Sequence, residues 1–274
     1  MQHISAKKSL GQHFLRSKEA LRKIVGAANI LDGEIVLEIG PGEGVLTEAL
    51  LSAGARVVAV EVDKRRIEGL GKRFINAPDE KKLLLINGDI RNKKVQQALF
   101  RKKFLGTSPY KLVANIPYYI TGILFRLFLE KLRQPGTLVF LVQKEVAEQV
   151  VARNGKESIL SLAVKVFGTP TYVAKVKREA FSPAPKVDSA IIAVTDISRA
   201  RLGTLTPEEY FRIVKTGFSS KRKMLLGNLA RNLNVPKEKL LQIFQQLGIN
   251  EQIRAEDVPI EKWLTLAQKI KIIN

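Results

Sequence analysis

Residues 113–122, VANIPYYITG, combine residue types that suit the binding of a flat polar ring. An apolar run ends at Asn115, and Pro117 and Tyr118 follow at once. The asparagine side chain offers a donor and an acceptor, proline stiffens the backbone, and a tyrosine ring can stack on a planar ligand. An ordinary strand end with turn residues is the competing interpretation. The surrounding elements have to decide between the two.

A glycine-rich turn, GPGEG at residues 40–44, lies earlier in the chain. It follows an apolar run at 35–39, interrupted only by Glu38, and precedes a helical pattern. Glycines at such a turn let a ligand approach the backbone closely. The dinucleotide fingerprint needs a third glycine where Val45 stands, which disfavours a nicotinamide oxidoreductase. The pattern favours a nucleoside ligand without phosphates.

Carboxylates lie at the ends of the next two predicted strands. Glu61 lies in the strand predicted over 56–63, at the spacing from the glycine turn at which a carboxylate binds ribose hydroxyls. Asp89 lies in the strand predicted over 83–90, where it would accept a hydrogen bond from an adenine amine. Each carboxylate alone is compatible with a solvated strand end. Together they predict a ligand site where the carboxyl ends of parallel strands meet.

Beside a nucleoside site, the NIPY turn predicts chemistry on an adenine amine. The lone pair of that amine is delocalised into the ring, so the nitrogen is a poor nucleophile. The Asn115 side-chain oxygen and the Ile116 backbone carbonyl can accept hydrogen bonds from both amine protons, which favours an electron-rich, tetrahedral nitrogen. Pro117 stiffens the turn, and Tyr118 stacks on the base. Catalysis would then depend on preorganised acceptors rather than on a general base.

Strand and helix patterns alternate through the first 200 residues, which predicts an α/β fold with a parallel, doubly wound sheet. Two late strands, at 171–181 and 189–197, are expected to form an antiparallel edge. The other predicted strands are 35–39, 56–63, 83–90, 111–119 and 136–143, and a helix is predicted within 157–167.

The tail has a different pattern, with helix signals only. Thr206 and Pro207 form a helix start, Pro236 and Pro259 begin two more helices, and Gly248 ends the one between them. We therefore predict a domain over 1–200 and a small all-α domain over 201–274.

Composition limits the possible partners. The chain of 274 residues has a net charge of +20, which predicts a polyanionic partner, most often nucleic acid, with an anionic membrane surface as the alternative. It has no cysteine and two histidines, so thiolate zinc sites are excluded and a histidine-based metal site is not expected. No apolar run has the length of a membrane span.

Seven segments, taken together, resemble the small-subunit ribosomal RNA adenine dimethyltransferases. They are KKSLGQHFL, VLEIGPGEGVLTEAL, VVAVEVDKR, NGDI, VANIPYYI, FSPAPKVDS and GFSSKRKML, and they occur in this order along nearly the whole chain. The resemblance implies a Rossmann-like methyltransferase sheet that binds S-adenosylmethionine. It also implies dimethylation of N6 of two adjacent adenosines in a hairpin near the 3′ end of 16S rRNA, with a role in ribosome assembly.

The resemblance implies roles for individual residues. Those expected at the cofactor are Gln12, His13, Leu15, Gly40, Gly42, Glu61, Asp89, Ile90 and Asn115. Those expected in catalysis are Asn115, Ile116, Pro117 and Tyr118, with Tyr118 and Phe181 stacking on the target adenine. His13 stands where the family often has asparagine, so its contact is expected to come from the backbone.

Two basic clusters are predicted to bind RNA. They are Lys7 and Lys8 near the N-terminus, and Lys221, Arg222 and Lys223 in the tail. The expected partner is small-subunit rRNA or a pre-30S particle, and the protein is expected to be a cytoplasmic monomer without a metal.

Two alternatives remain on the same fold. One is a large-subunit (23S) rRNA adenine methyltransferase, which shares an Asn-x-Pro-Tyr-like turn. The other is an RNA-binding assembly or transcription factor without catalysis. The GQHFL and FSPAPKVDS segments and the tail length favour the small-subunit enzyme, and the intact Glu61, Asp89 and Asn115 disfavour pure binding.

Overall fold

The computed structural model describes residues 12–75, 82–233 and 235–273, so the predicted RNA-binding residues Lys7 and Lys8 lie outside the described residues. The strands are β1 Phe14–Leu15, β2 Ile35–Ile39, β3 Arg56–Glu61, β4 Leu83–Asn87, β5 Lys111–Asn115, β6 Thr137–Gln143, β7 Thr169–Val176, β8 Phe181–Ser182 and β9 Ser189–Thr195. The helices are α1 Lys18–Ala28, α2 Val45–Ser52, α3 Lys64–Phe74, α4 Lys93–Leu99, α5 Thr121–Arg126, α6 Lys144–Val151, α7 Ile159–Lys165, α8 Pro207–Gly217, α9 Leu225–Asn232, α10 Lys237–Gln246 and α11 Ile260–Ile273.

Seven strands form one sheet in the order β4-β3-β2-β5-β6-β9-β7. The pairs β4–β3, β3–β2, β2–β5 and β5–β6 are parallel, and β9 runs antiparallel to β6. The prediction of a parallel, doubly wound sheet is confirmed, and β9 provides the antiparallel strand expected late in the chain.

The sequence explains why the central strands are parallel. In β2, β3, β5 and β6 almost every residue is buried, rather than every second one. Continuous burial is typical of strands that are covered on both faces, as in parallel α/β sheets. Side chains from α1, α2 and α3, such as Ile24, Leu50 and Leu70, pack into this core.

Strands β2 and β5 are neighbours although two other strands lie between them in the chain. The strand order runs outward from β2 to β3 and β4 on one side, and from β5 to β6 on the other. Such a reversal opens a crevice at the carboxyl ends of the two central strands. The glycine turn follows β2 and Asn115 ends β5, so both predicted segments lie at this crevice.

Strands β1 and β8 form a second, two-stranded sheet that the sequence analysis did not predict. Phe14 pairs with Ser182 and Leu15 with Phe181, in antiparallel register. The Arg16 amide extends the pairing by donating to the Ala180 carbonyl at 2.7 Å. Strands of two residues carry no periodicity, so the pattern left no signal to detect.

The chain divides into two compact units. The first contains the described residues up to Leu124, with Pro135–Ala147 and Thr171–Thr195. The second contains Phe125–Gln134, Glu148–Pro170 and the described residues from Asp196 onward. It therefore includes residues 125–134, 148–170 and 196–200, which the sequence-based division assigned to the first domain.

Within the second unit, the structure confirms the helix starts that were predicted at Thr206, Pro236 and Pro259. Thr206 and Glu209 form a reciprocal capping box, with Pro207 at the first position of α8. Helix α9 was not predicted, because Met224 at its N-cap makes no side-chain capping bond. A Cβ on Gly217 would lie only 2.4 Å from the Trp263 ring, so only glycine fits where α8 packs on that buried tryptophan.

Candidate active site

A cavity opens at the carboxyl ends of β2 and β5, within the first unit. Its walls are residues of the β1 segment, the glycine turn, the ends of β3 and β4, and the turn after β5. Every residue predicted to bind the cofactor or to act in catalysis lines this cavity. Among the described residues, no group of three histidine, aspartate or glutamate side chains is placed to hold a metal ion. No described helix is both long enough and apolar enough to span a bilayer.

The glycine turn packs closely against the N-terminal segment. Gly42 has a φ of +57°, a conformation that L side chains rarely adopt. A Cβ at this position would also lie 3.0 Å from the Phe14 ring. The Arg66 guanidinium lies 4.5 Å from the centroid of the same ring. Gly42 therefore permits a close contact that holds β1 against the cavity wall.

Glu61 is buried at the end of β3, with its carboxylate held by two backbone amides. Oε2 accepts from the Gly42 amide at 3.1 Å and Oε1 accepts from the Asp63 amide at 2.9 Å. Burial raises the pKa of Glu61, and these amides oppose that effect by stabilising the charged form. A carboxylate has about four acceptor sites, so both oxygens can still accept from a ligand.

Glu38 is a cavity residue that the sequence analysis did not place in the site. It is 1 % exposed, its Oε2 accepts from the Thr47 hydroxyl at 2.6 Å, and its Oε1 has no partner among the described residues. Burial raises the pKa of Glu38 to about 8, assisted by the nearby negative Glu61. The available signal was the single charge inside an otherwise apolar strand, because such a residue is costly to bury without a purpose.

Asp89 lies just beyond β4 and is oriented by Arg91. The Arg91 Nε donates to Asp89 Oδ1 at 2.9 Å, and the Arg91 amide donates to the same oxygen at 2.8 Å. The hydrogen bonds from Arg91 lower the pKa of Asp89, so its carboxylate remains charged at neutral pH. Sequence analysis placed Asp89 in the site and missed the arginine that fixes its orientation.

Asn115 ends β5 with its side-chain amide in a defined orientation. Its Nδ2 donates to the His13 backbone carbonyl at 3.1 Å. The side-chain oxygen then remains as the acceptor at the cavity. The next residue adds a second acceptor, because no donor among the described residues reaches the Ile116 carbonyl.

Tyr118 begins a short 3₁₀ turn, Tyr118–Ile120, and two contacts hold its side chain in place. The hydroxyl hydrogen-bonds the Ser189 Oγ at 2.8 Å, and the ring stacks on His13 with a centroid separation of 6.0 Å and an interplanar angle of 23°. The His13 Nδ1 lies 2.8 Å from the Pro183 carbonyl oxygen. His13 thus contacts the site through its ring as well as its backbone.

Phe181 and the basic cluster lie outside the described cavity wall. Phe181 is 5 % exposed and packs in the core of the first unit, so its stacking role stays a prediction.

The predicted RNA-binding residues of the tail, Lys221, Arg222 and Lys223, are all exposed, and they form no ion pair with any described residue. These three neighbouring cations are therefore available to a polyanion.

Comparison with known sequences identifies close relatives over nearly the whole chain. The family model described as ribosomal RNA adenine dimethylase matches residues 3–271. Ribosomal RNA small subunit methyltransferase A of Dehalococcoides mccartyi (strain ATCC BAA-2100) is 39% identical over 263 residues, which cover 96% of this chain and 88% of the relative. The protein of the same name from Fusobacterium nucleatum is 38% identical over 263 residues, covering 95% and 96%.

Solved structures agree with the sequence comparison. A dimethyladenosine transferase from Plasmodium falciparum superposes with a TM-score of 0.75 and 30% identity, covering 93% of this chain and 96% of that one. The 23S rRNA methyltransferase ErmE superposes with a TM-score of 0.72 and 26% identity, covering 94% and 99%. Together with the cavity geometry, the family match and these identities establish that the chain belongs to the ribosomal RNA adenine dimethylase family.

Proposed function

We propose that this protein uses S-adenosylmethionine to dimethylate N6 of two adjacent adenosines in a hairpin near the 3′ end of small-subunit rRNA. Family membership supports the reaction, and the names of the relatives support the small subunit as substrate. The observation that carries the proposal is the pair of uncommitted acceptors, the Asn115 side-chain oxygen and the Ile116 carbonyl, at the switch point of the sheet.

The cavity residues suit the cofactor. S-adenosylmethionine, when bound, supplies a methyl group carried on a sulfonium. The buried Glu38 Oε1 has no hydrogen-bond partner among the residues that the structure describes, and the ammonium group of the cofactor's amino-acid portion would satisfy it. Gly40 has a φ of +71°, a conformation that L side chains rarely adopt, so the turn beside the cofactor position favours glycine there.

The remaining cofactor contacts follow from position. Glu61 would accept from the ribose hydroxyls, and Asp89 would accept from the cofactor's adenine amine beside Ile90. Gln12, His13, Leu15, Gly40 and Gly42 would form the wall around the rest of the cofactor.

The NIPY turn would prepare the target nitrogen. The side-chain oxygen of Asn115 and the carbonyl oxygen of Ile116 would each accept a hydrogen bond from one amine N–H, which weakens delocalisation of the nitrogen lone pair into the ring. Pro117 fixes the turn that presents the Ile116 carbonyl. After transfer the nitrogen is cationic and loses a proton readily, so no strong base is required.

Tyr118 would serve as a stacking surface rather than as a base. Burial raises the pKa of Tyr118, and its hydroxyl is already bonded to Ser189, so the phenol keeps its proton at neutral pH. Its ring is therefore available for stacking on the target adenine, with Phe181 proposed as the opposing ring.

The proposal is tested by incubating the protein with isotope-labelled cofactor and methyl-deficient small ribosomal subunits, followed by mass spectrometry of the rRNA. We expect two methyl groups on each of two adjacent adenosines. Isolated large subunits are the matched control, since ErmE has a similar structure. Label in large-subunit RNA alone would assign the activity to 23S rRNA. Tight RNA binding without any label would favour the non-catalytic alternative.

A further inference from the structure

Tyr119 and Tyr118 are consecutive residues with opposite environments. Both line the cavity, but the Tyr118 hydroxyl is tied to Ser189, whereas Tyr119 is 55 % exposed and stands at the rim. They share one 3₁₀ turn, in which successive side chains diverge by roughly 120° because a turn contains about three residues. One backbone turn therefore presents one ring within the cavity and another at its rim.

The exposed ring has a cation beside it and open apolar surface next to it. The Arg91 guanidinium lies 5.9 Å from the Tyr119 ring centroid, and its pairing with Asp89 holds it there. Ile123, one turn further along, is 46 % exposed. A Cβ on Gly122 would meet no atom of the described residues within 4 Å, so the space beside this glycine is also open. An exposed aromatic ring flanked by arginine is a common surface for an unstacked nucleobase and its phosphate.

We propose that Tyr119 stacks on the nucleobase next to the target adenosine, with Arg91 at the adjoining phosphate. This inference rests on the proposed function, in which adjacent adenosines are modified. A base that enters the cavity leaves its neighbour without a stacking partner, at a cost that disfavours extrusion. The Cα atoms of consecutive residues are about 3.8 Å apart, so the two rings can serve neighbouring nucleotides. Tyr119 replaces the lost stacking contact while Tyr118 holds the target base.

The first test compares Tyr119→Leu, which removes the ring, with Tyr119→Phe, which keeps it. With methyl-deficient small subunits, we expect Tyr119→Leu to lower kcat/KM about 10-fold, within the range attributed to stacking of one base. Tyr119→Phe stays within about twofold of the unchanged protein, because stacking needs only the ring. Leu31→Ala, at another exposed apolar residue before β2, is the control and has no effect.

The second test observes the stacking directly, without methyl transfer. The probe is a hairpin RNA with 2-aminopurine at the position next to the target adenosine. Stacking on an aromatic ring changes the probe's emission. We therefore expect a change when the unchanged protein or Tyr119→Phe binds, and no change when Tyr119→Leu binds.

These results separate the inference from the function on which it rests. Equal emission changes with all three proteins would overturn the stacking role, even if the unchanged protein methylates small subunits. A weakened cofactor Kd in Tyr119→Leu, measured by calorimetry, would also overturn it by assigning the ring to the cofactor. Absence of methyl transfer by the unchanged protein would contradict the proposed function, while the emission change would still report the stacking.

Discussion

The cavity and the basic cluster of the second unit use charge in opposite ways. In the cavity, Glu61 is buried, and two backbone amides hold its carboxylate in place. In the second unit, Lys221, Arg222 and Lys223 are exposed and form no ion pair with described residues.

A buried, fixed charge and a cluster of exposed charges act differently on ligands. Buried charges act in a medium of low dielectric constant and at fixed positions, so they discriminate between ligands by geometry and are poorly screened by salt. Exposed lysines and arginines attract any polyanion, and salt weakens their effect steeply. Cofactor binding should therefore be nearly independent of ionic strength, whereas RNA binding should depend on it strongly.

The largest effect is expected for Asn115→Ala in the cavity. Loss of one preorganised acceptor should lower kcat by about 10²- to 10³-fold, by analogy with removal of one oxyanion-hole donor. Single-turnover methyl transfer with saturating cofactor measures this effect. The cofactor Kd should change by no more than a few-fold. Turnover that stays at the original level would refute the acceptor role of Asn115.

The next largest effect is expected for Glu61→Gln. The isosteric amide cannot accept from two backbone amides and two ribose hydroxyls together, so the cofactor Kd should rise about 10- to 100-fold. Calorimetry at low and at physiological salt should give nearly the same ratio of the variant's cofactor Kd to that of the unchanged protein. RNA affinity is the internal control and should not change. A ratio that disappears at physiological salt would mean that Glu61 acts only through long-range charge.

A smaller effect is expected when Lys221, Arg222 and Lys223 are all replaced by serine. RNA affinity at low salt should fall about 10-fold, and the slope of log K against log salt should become shallower by about 2, since each phosphate contact contributes about 0.7 to 0.9. Replacement of Lys237 and Lys239, exposed lysines outside the cluster, is the control. An unchanged slope in the triple variant would exclude the cluster from the RNA interface.

For Glu38→Gln, the effect to be measured is a change in the pH dependence of stability. The pKa of Glu38 is about 8 in the folded protein, against 4.5 as its ordinary value. The folded state therefore binds more protons between these pH values, and this residue's contribution to the unfolding free energy falls as pH rises, by at most about 1.4 kcal/mol per pH unit. Urea unfolding from pH 5 to 8 should show a flatter dependence in the glutamine variant. Identical curves would mean that Glu38 is ionised throughout.

Local patterns predicted most of the first unit correctly. The strands at β2, β3, β4, β5 and β6 were found because continuous apolar runs end in glycine, acids or asparagine. The same runs placed Glu61, Asp89 and Asn115 at strand ends, and parallel pairing then brought all three to one edge. Helix α8 was found from its cap and proline.

Long-range pairing and burial were beyond the reach of these patterns. The contact of His13 with Pro183 joins residues 170 apart in the chain, and no local signal marks either partner for the other. The pKa of Glu38 depends on its burial in the folded sheet, which the strand pattern alone does not give. The different surroundings of Tyr118 and Tyr119 also depend on which side of one turn faces the cavity.

The sequence by itself determined the sheet and the glycine turn, and it led to the proposed role of the NIPY segment, because each depends on residue type and short spacing. Only the tertiary structure decided the orientation of the Asn115 amide, the burial of Glu38 and the exposed ring of Tyr119. These features depend on which side chains the packed elements place around a group, and residues far apart in the chain supply those neighbours.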